Sequence, residues 1–190
     1  MKYRFSFSKD IVRSSKGSIS QYIDNTTSSI VVLKKLYISD GDIGAHSNEA
    51  RLLKLLHHDN IVRYYGDYYD YNDIYYSIIL EYIDGTTLEQ EISHLSNISQ
   101  RPSKDYIYSL LYQQSLSLEC LNFNRIVHND IKPANIMYSS HFNQFKLCDF
   151  GLARQTDQLT CPTIDFTSRL DLRLLCDSPR YLSSELYNYL

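Results

Sequence analysis

The chain predicts an α+β fold in two parts, a strand-rich segment over residues 1–83 and a helical one over residues 84–190. Three observations carry that expectation. Runs of β-branched and aromatic residues dominate the first segment. A single leucine stripe at helical spacing interrupts them. Beyond Pro102, apolar residues recur at helical period.

Taken in order, Ile30-Val31-Val32-Leu33 is a β-branched run between polar segments and predicts a buried strand. Asp40-Gly41-Asp42-Ile43-Gly44 reads as a loop. From Asn48 to His57, Leu52, Leu53, Leu55 and Leu56 form the apolar face of a helix. Ile61–Tyr65 and Tyr75–Tyr82 return to strand character, with Asp70-Tyr71-Asn72-Asp73 as the turn between them. Asp84-Gly85 closes the strand part, and a hinge is expected near Glu81–Gly85. Thr87 with Gln90 is a capping box that opens a short helix. Ser103 is the N-cap of a long helix whose inner face is Ile107, Leu110, Leu111, Leu118 and Leu121. Ile126-Val127 and Phe145-Lys146-Leu147 are short apolar stretches, each followed by specific polar residues, and Gln155 to Asp177 reads as loop.

Composition excludes several classes. Of 190 residues, 43% are apolar and 22% charged, the balance of a folded domain rather than a disordered tail. No apolar run approaches the ~20 residues that span a bilayer, and no signal-peptide core stands at the start, so a cytoplasmic protein without a membrane partner is expected. A formal charge of −3 argues against a general polyanion binder, so no nucleic-acid partner is expected and any phosphate chemistry must come from a local site. The pairs Tyr64–Tyr65, Tyr68–Tyr69 and Tyr75–Tyr76 lack interleaved Lys and Arg, so half-buried strand tyrosines are favoured over a stacking surface. Cys120, Cys148, Cys161 and Cys176 contain no C-x-x-C pair, form no zinc signature and read as reduced intracellular thiols.

The informative segment is His128-Asn129-Asp130-Ile131-Lys132-Pro133-Ala134-Asn135, followed later by Asp149-Phe150-Gly151. Upstream stand Lys34 at a strand end and Glu49 in a helix. Singly, each has an ordinary reading. Lys34 would be a solvated edge charge, Glu49 a helix glutamate, and Asp149-Phe150-Gly151 a turn around a buried phenylalanine. His128 reads as a packed core residue, Lys35 as an outward-facing strand residue and Cys148 as a small buried thiol. Their order and spacing together are specific.

The set resembles the eukaryotic protein kinases over nearly the whole chain. That resemblance implies a bilobal fold. Residues 1–83 would be an N-lobe of five strands and one helix, and residues 84–190 a partial C-lobe with the catalytic loop and activation segment. It implies ATP and Mg2+ as cofactors and a protein bearing Ser or Thr as substrate. Phosphoryl transfer needs reactants positioned and phosphate charge neutralised. Lys34, the lysine of Val31-Val32-Leu33-Lys34, would hold phosphates, with Glu49 fixing its stem. Asn135 and Asp149 would bind the metal through hard oxygen ligands. Asp130 would accept the hydrogen bond of the incoming hydroxyl, and Lys132 would balance charge on the transferred group. The same resemblance puts Gly17, Val32, Leu80, Glu81, Ile83 and Met137 at the nucleotide, with Leu80 as gatekeeper and Glu81-Tyr82-Ile83 as hinge. A lysine at 132 is similar to the serine/threonine kinases. Asn48-Glu49 through His58-Asp59-Asn60-Ile61-Val62 is similar to the family's helix followed by H-P-N-I-V. Ser178-Pro179-Arg180-Tyr181-Leu182-Ser183-Ser184-Glu185 and Arg63-Tyr64-Tyr65 are most similar to the NIMA-related kinases.

Four departures from that family pattern favour, as the alternative, a weak or inactive kinase acting as a binding module. The glycine-rich slot reads Ser15-Lys16-Gly17-Ser18-Ile19-Ser20, which loosens the approach of backbone amides to phosphate. Tyr22 and Val32 are expected to add bulk over adenine. The arginine of H-R-D is Asn129, so pairing with a loop phosphate at Thr160, Thr163, Thr167 or Ser168 loses its partner. The last motif reads Ser183-Ser184-Glu185, with Ser178 in a structural place, and the sequence stops at Leu190. The expectation is an incomplete C-lobe, poorly soluble or oligomeric alone, whose underside a protein partner would cover.

Overall fold

The computed structural model describes residues 4–15, 17–38, 43–70 and 75–156. Asp40–Asp42 of the loop expected at Asp40–Gly44, Tyr71–Asp73 of the turn expected at Asp70–Asp73, Lys16, Cys161, Cys176 and the segment from Asp157 to Leu190, with its hydroxyls and the Ser178–Glu185 motif, lie outside these residues. Ile43 and Gly44 of that loop instead open a helix, and Asp70 of that turn ends a strand. The chain divides into two compact units, Met1–His57 with Val62–Ile83, and His58–Ile61 with Asp84–Leu190.

The first unit is built on a five-stranded antiparallel sheet in the order β1-β2-β3-β5-β4. Its strands are β1 (Phe5–Ser14), β2 (Gly17–Asp24), β3 (Ser29–Tyr37), β4 (Tyr64–Asp70) and β5 (Tyr75–Glu81). The β-branched run at Ile30–Leu33 forms the start of β3, and the aromatic run from Tyr75 forms β5, whose residues Tyr76 to Leu80 are all buried. Successive side chains alternate faces, so register decides what shares a surface. Opposite Val32 stand Gln21 and Leu80, and opposite Lys34 stand Ile19 and Ile78. That face carries Val32, Lys34 and Leu80 together. The other face carries Val31, Leu33 and Ile79, with Phe5, Tyr22 and Tyr68 packed against them.

Helix α1 (Ile43–Leu53) packs on β4 and β5, burying Ala50, Leu52 and Leu53. It starts earlier and ends earlier than the leucine stripe suggested. After Leu53 the chain turns through Leu52–Leu55 and Leu53–Leu56 backbone bonds, so Leu56 is buried while Leu55 is exposed. The predicted strand at Ile61–Tyr65 splits as well. Ile61 makes an isolated parallel bridge with Leu147, and β4 begins at Tyr64.

The described residues of the second unit form two α-helices and two small sheets. One sheet has the order β6-β8-β9, from β6 (Thr86–Thr87), β8 (Ile136–Ser139) and β9 (Gln144–Leu147). The other pairs β7 (Ile126–Val127) with β10 (Arg154–Gln155). Gly85 leads into β6, where a Cβ would stand 2.0 Å from the Tyr138 carbonyl oxygen, so only glycine allows that approach. Helix α2 (Leu88–Asn97) opens with the expected capping box. Gln90 N–H donates to Thr87 Oγ1 at 3.2 Å, and Thr87 N–H donates to Gln90 Oε1 at 2.9 Å. Helix α3 (Lys104–Phe123) is capped by Ser103, whose hydroxyl accepts from Tyr106 N–H at 3.1 Å.

The inner face of α3 is not the apolar set that the sequence suggested. Ile107, Leu111 and Leu118 are exposed. The helix contacts β9 and β7 through a stripe that includes Gln113, Ser117 and Leu121. Gln113 and Ser117 are polar, so an apolar pattern could not reveal them. Their partner is Asn60, which is 6% exposed and donates to Gln113 Oε1 at 2.7 Å and to the Phe145 carbonyl at 2.9 Å. The Asn60 carbonyl accepts from Ser117 Oγ at 2.9 Å and from Leu147 N–H at 2.8 Å. Buried amide groups persist only when so satisfied.

Candidate active site

Two clusters of the singled-out residues form, one in each unit. In the first unit Lys34 Nζ donates to both carboxylate oxygens of Glu49, at 2.9 and 2.8 Å. Their side chains are 14% and 5% exposed, so this is a largely desolvated ion pair. β3 supplies the lysine and α1 the glutamate. Lys35, one residue on, lies on the opposite face with its ammonium 5.2 Å from the Tyr22 ring centre, in line with its ordinary reading. Val32 and Leu80 share the Lys34 face, and Leu80 and Ile83 are buried. Glu81 is tied to Arg63, which donates its N–H to the carboxylate at 2.7 Å and accepts Glu81 N–H at 2.9 Å.

One expectation about this unit needs correction, the place of Tyr22. Tyr22 stands opposite Val31, not Val32, and so faces away from Lys34. The residue across from Val32 is Gln21, which counting along the sequence missed and the period of two with the observed register reveals. Gly17 begins β2, with Ser14 of β1 opposite it. A Cβ there would lie 2.0 Å from the Lys35 carbonyl oxygen. Close packing of β2 on β3 therefore gives this glycine a structural reason of its own. The hydroxyl of Ser20 is spent on Asp10, at 2.7 Å.

In the second unit the loop from His128 to Asn135 folds around its own polar groups. Asp130 Oδ2 accepts from Lys132 Nζ and from Asn135 Nδ2, both at 2.8 Å, and Asn135 Nδ2 also donates to the Asp130 carbonyl at 2.8 Å. Among the described residues the side-chain hydrogen bonds of Asn135 leave from Nδ2, which leaves Oδ1 as a hard oxygen suited to a cation. Asn135 is placed by a 3₁₀ turn, Pro133–Asn135, in which proline pre-sets the first position. Its backbone carbonyl accepts from Cys148 N–H at 2.8 Å, which brings Asp149 next to it in the fold. Asp149 is exposed, with φ at +59°. Met137 is half-buried in β8, opposite Thr87 and Lys146. Asn135 and Asp149 offer hard oxygen ligands and suit a magnesium ion, which needs few protein ligands and keeps its waters.

His128 is 2% exposed and is a structural residue. Its Nε2 donates to the Cys148 carbonyl at 3.0 Å, and its Nδ1 accepts Asp130 N–H at 3.2 Å. A carbonyl only accepts, so this network fixes the neutral Nε2–H tautomer. Desolvation pushes its pKa below the ordinary value. The ring meets Phe150 edge to face at 4.7 Å, and Phe150 is fully buried.

An ion-paired strand lysine together with the His128–Asn135 and Asp149–Gly151 loops is the residue set of the protein kinases, and the family comparison agrees. The family model for the protein kinase domain matches residues 5–189, and the chain belongs to that family. It is 30% identical over 155 residues to "Serine/threonine-protein kinase 1" of Arabidopsis thaliana, an alignment covering 80% of this chain and 18% of that protein. It is 31% identical over 164 residues to "Serine/threonine-protein kinase Nek5" of Mus musculus, covering 86% and 24% respectively. To "MAP kinase kinase kinase wis4" of Schizosaccharomyces pombe it is 27% identical over 176 residues, covering 90% and 12%. The chain thus spans a quarter or less of the length of these relatives. No helix among the described residues is long and apolar enough to cross a membrane.

Proposed function

We propose that this chain is a serine/threonine protein kinase of NIMA-related type, binding Mg·ATP and passing its γ-phosphoryl group to a protein hydroxyl. The Asp130–Asn135–Lys132 arrangement is the observation that carries this reading, because it presents an oriented carboxylate beside an ammonium. The substrate oxygen bonds to the γ-phosphorus while the bond from that phosphorus to the β–γ bridging oxygen breaks. The hydroxyl proton passes to Asp130, and ADP leaves with the bond's electron pair. Lys132 balances charge on the phosphoryl oxygens. Lys34, its stem fixed by Glu49, holds the α- and β-phosphates. Asn135 and Asp149 would hold magnesium, which when bound neutralises phosphate charge. Gly17, Val32, Leu80, Glu81, Ile83 and Met137 line the nucleotide in this reading.

The test is a thermal shift with Mg·ATP followed by transfer of labelled phosphate to a generic protein substrate. Nucleotide in large excess over its Kd should stabilise the protein by roughly 3 kcal/mol. Binding with transfer supports the kinase. Binding without transfer would support the second reading, a nucleotide-binding module. That reading is favoured by Ser15, Ser18 and Ser20 in the phosphate slot and by the packing role of Gly17.

A further inference from the structure

Asn129, at the place of the H-R-D arginine, has an unusual geometry. It has a φ of +63°, a left-handed conformation that few residues other than glycine and asparagine tolerate. It stands between buried His128 and half-buried Asp130, and its side-chain Nδ2 donates to the Leu152 carbonyl at 3.0 Å. Two further bonds join the same loop to the segment around Asp149. His128 donates to the Cys148 carbonyl, and the Asn135 carbonyl accepts Cys148 N–H. Both of those bonds hold the chain just before Asp149. The Asn129–Leu152 bond holds it just after, where Ala153 N–H closes a turn on the Phe150 carbonyl at 3.0 Å. Asp149 is itself left-handed, so the direction of its carboxylate depends on both flanks staying in place.

We propose that Asn129 is a positioning residue, clamping the downstream flank of Asp149 to the 128–135 loop and thereby holding the magnesium-binding carboxylate in register with Asn135. This role rests on the kinase reading given above. Two variants isolate the donor. Asn129→Gly keeps the left-handed backbone and removes the side chain. Asn129→Asp keeps backbone preference and shape but cannot donate to a carbonyl. The full chain is compared in two measurements. The first is amide hydrogen exchange over Gly151–Ala153. The second is ADP affinity by calorimetry as a function of magnesium concentration.

Loss of one solvent-accessible hydrogen bond should speed exchange there about five-fold in both variants. It should also raise the magnesium concentration needed for half-maximal tightening of ADP about five-fold, with magnesium-free ADP affinity unchanged. Unchanged exchange would overturn the clamp. Faster exchange with an unaltered magnesium dependence would overturn the positioning role and leave only a local hydrogen bond. If the wild type binds ADP in a magnesium-dependent way yet transfers no phosphate, the kinase reading fails while the clamp is still decided by these two measurements. A wild type that binds no nucleotide overturns both.

Discussion

Asn135 holds Asp130 at two points with one nitrogen, donating to its carbonyl and to its carboxylate, each at 2.8 Å. Lys132 occupies the same carboxylate oxygen from another side, at 2.8 Å. The carboxylate is therefore oriented before any substrate arrives, and its side chain is only 10% exposed. Preorganisation of this kind removes an entropic cost from proton transfer. Asp130→Asn keeps the shape and removes the carboxylate that the proposed reaction uses as proton acceptor. Phosphate transfer should fall by about 10²–10⁴-fold while Mg·ATP affinity stays within a factor of about two. Equal turnover in the variant would remove Asp130 from its role.

The Lys34–Glu49 pair is buried, so removing one partner strands the other. Lys34→Met and Glu49→Leu should each destabilise the protein by about 3 kcal/mol. The double variant should recover much of that loss, because no uncompensated charge remains. Urea denaturation of the four proteins gives the coupling directly. Additive losses would mean that the two charges are not coupled.

Asn60→Ala should cost about 2–3 kcal/mol, because the buried Gln113 oxygen loses its Asn60 donor and the Phe145 carbonyl loses another. Its spectroscopic signature is specific. Exchange of the Leu147 amide, bonded to the Asn60 carbonyl, should rise with loosening of the β9 edge. A wild-type melting temperature would show that the network is dispensable.

Gly17→Ala tests packing against ligand binding. The added methyl would meet the Lys35 carbonyl, so stability should fall without any nucleotide present, by about 1–3 kcal/mol. A loss of ATP affinity with unchanged stability in the free protein would assign the glycine to the phosphates instead.

The pH dependence follows from His128. Burial lowers its folded-state pKa below the unfolded value near 6.5. Above that value both states are neutral there and the group contributes no pH slope. As pH falls below it, the unfolded chain takes up the proton first, and stability is lost until the folded-state pKa is passed. Stability measured between about pH 7 and pH 5 should therefore decline, and His128→Gln should flatten part of that slope. An identical slope in the variant would exclude His128 as its source.

Sequence alone determined which residues matter where local chemistry is sufficient. Thr87 with Gln90 and Ser103 announce helix starts because each cap closes within one turn, and the structure forms both. The ordered polar set from Lys34 to Asp149 named the protein kinase family because its residues keep their order and spacing along the chain. Only tertiary structure decided which side each strand residue faces and what each helix buries. Register placed Gln21, not Tyr22, across from Val32, since one residue of offset reverses every side chain. Polar Gln113 and Ser117 became the inner stripe of α3 only because Asn60, far away in sequence, brings matching donors and acceptors. A hydrogen-bond partner that distant leaves no periodic trace, whereas a cap or a motif carries its partner within a few residues.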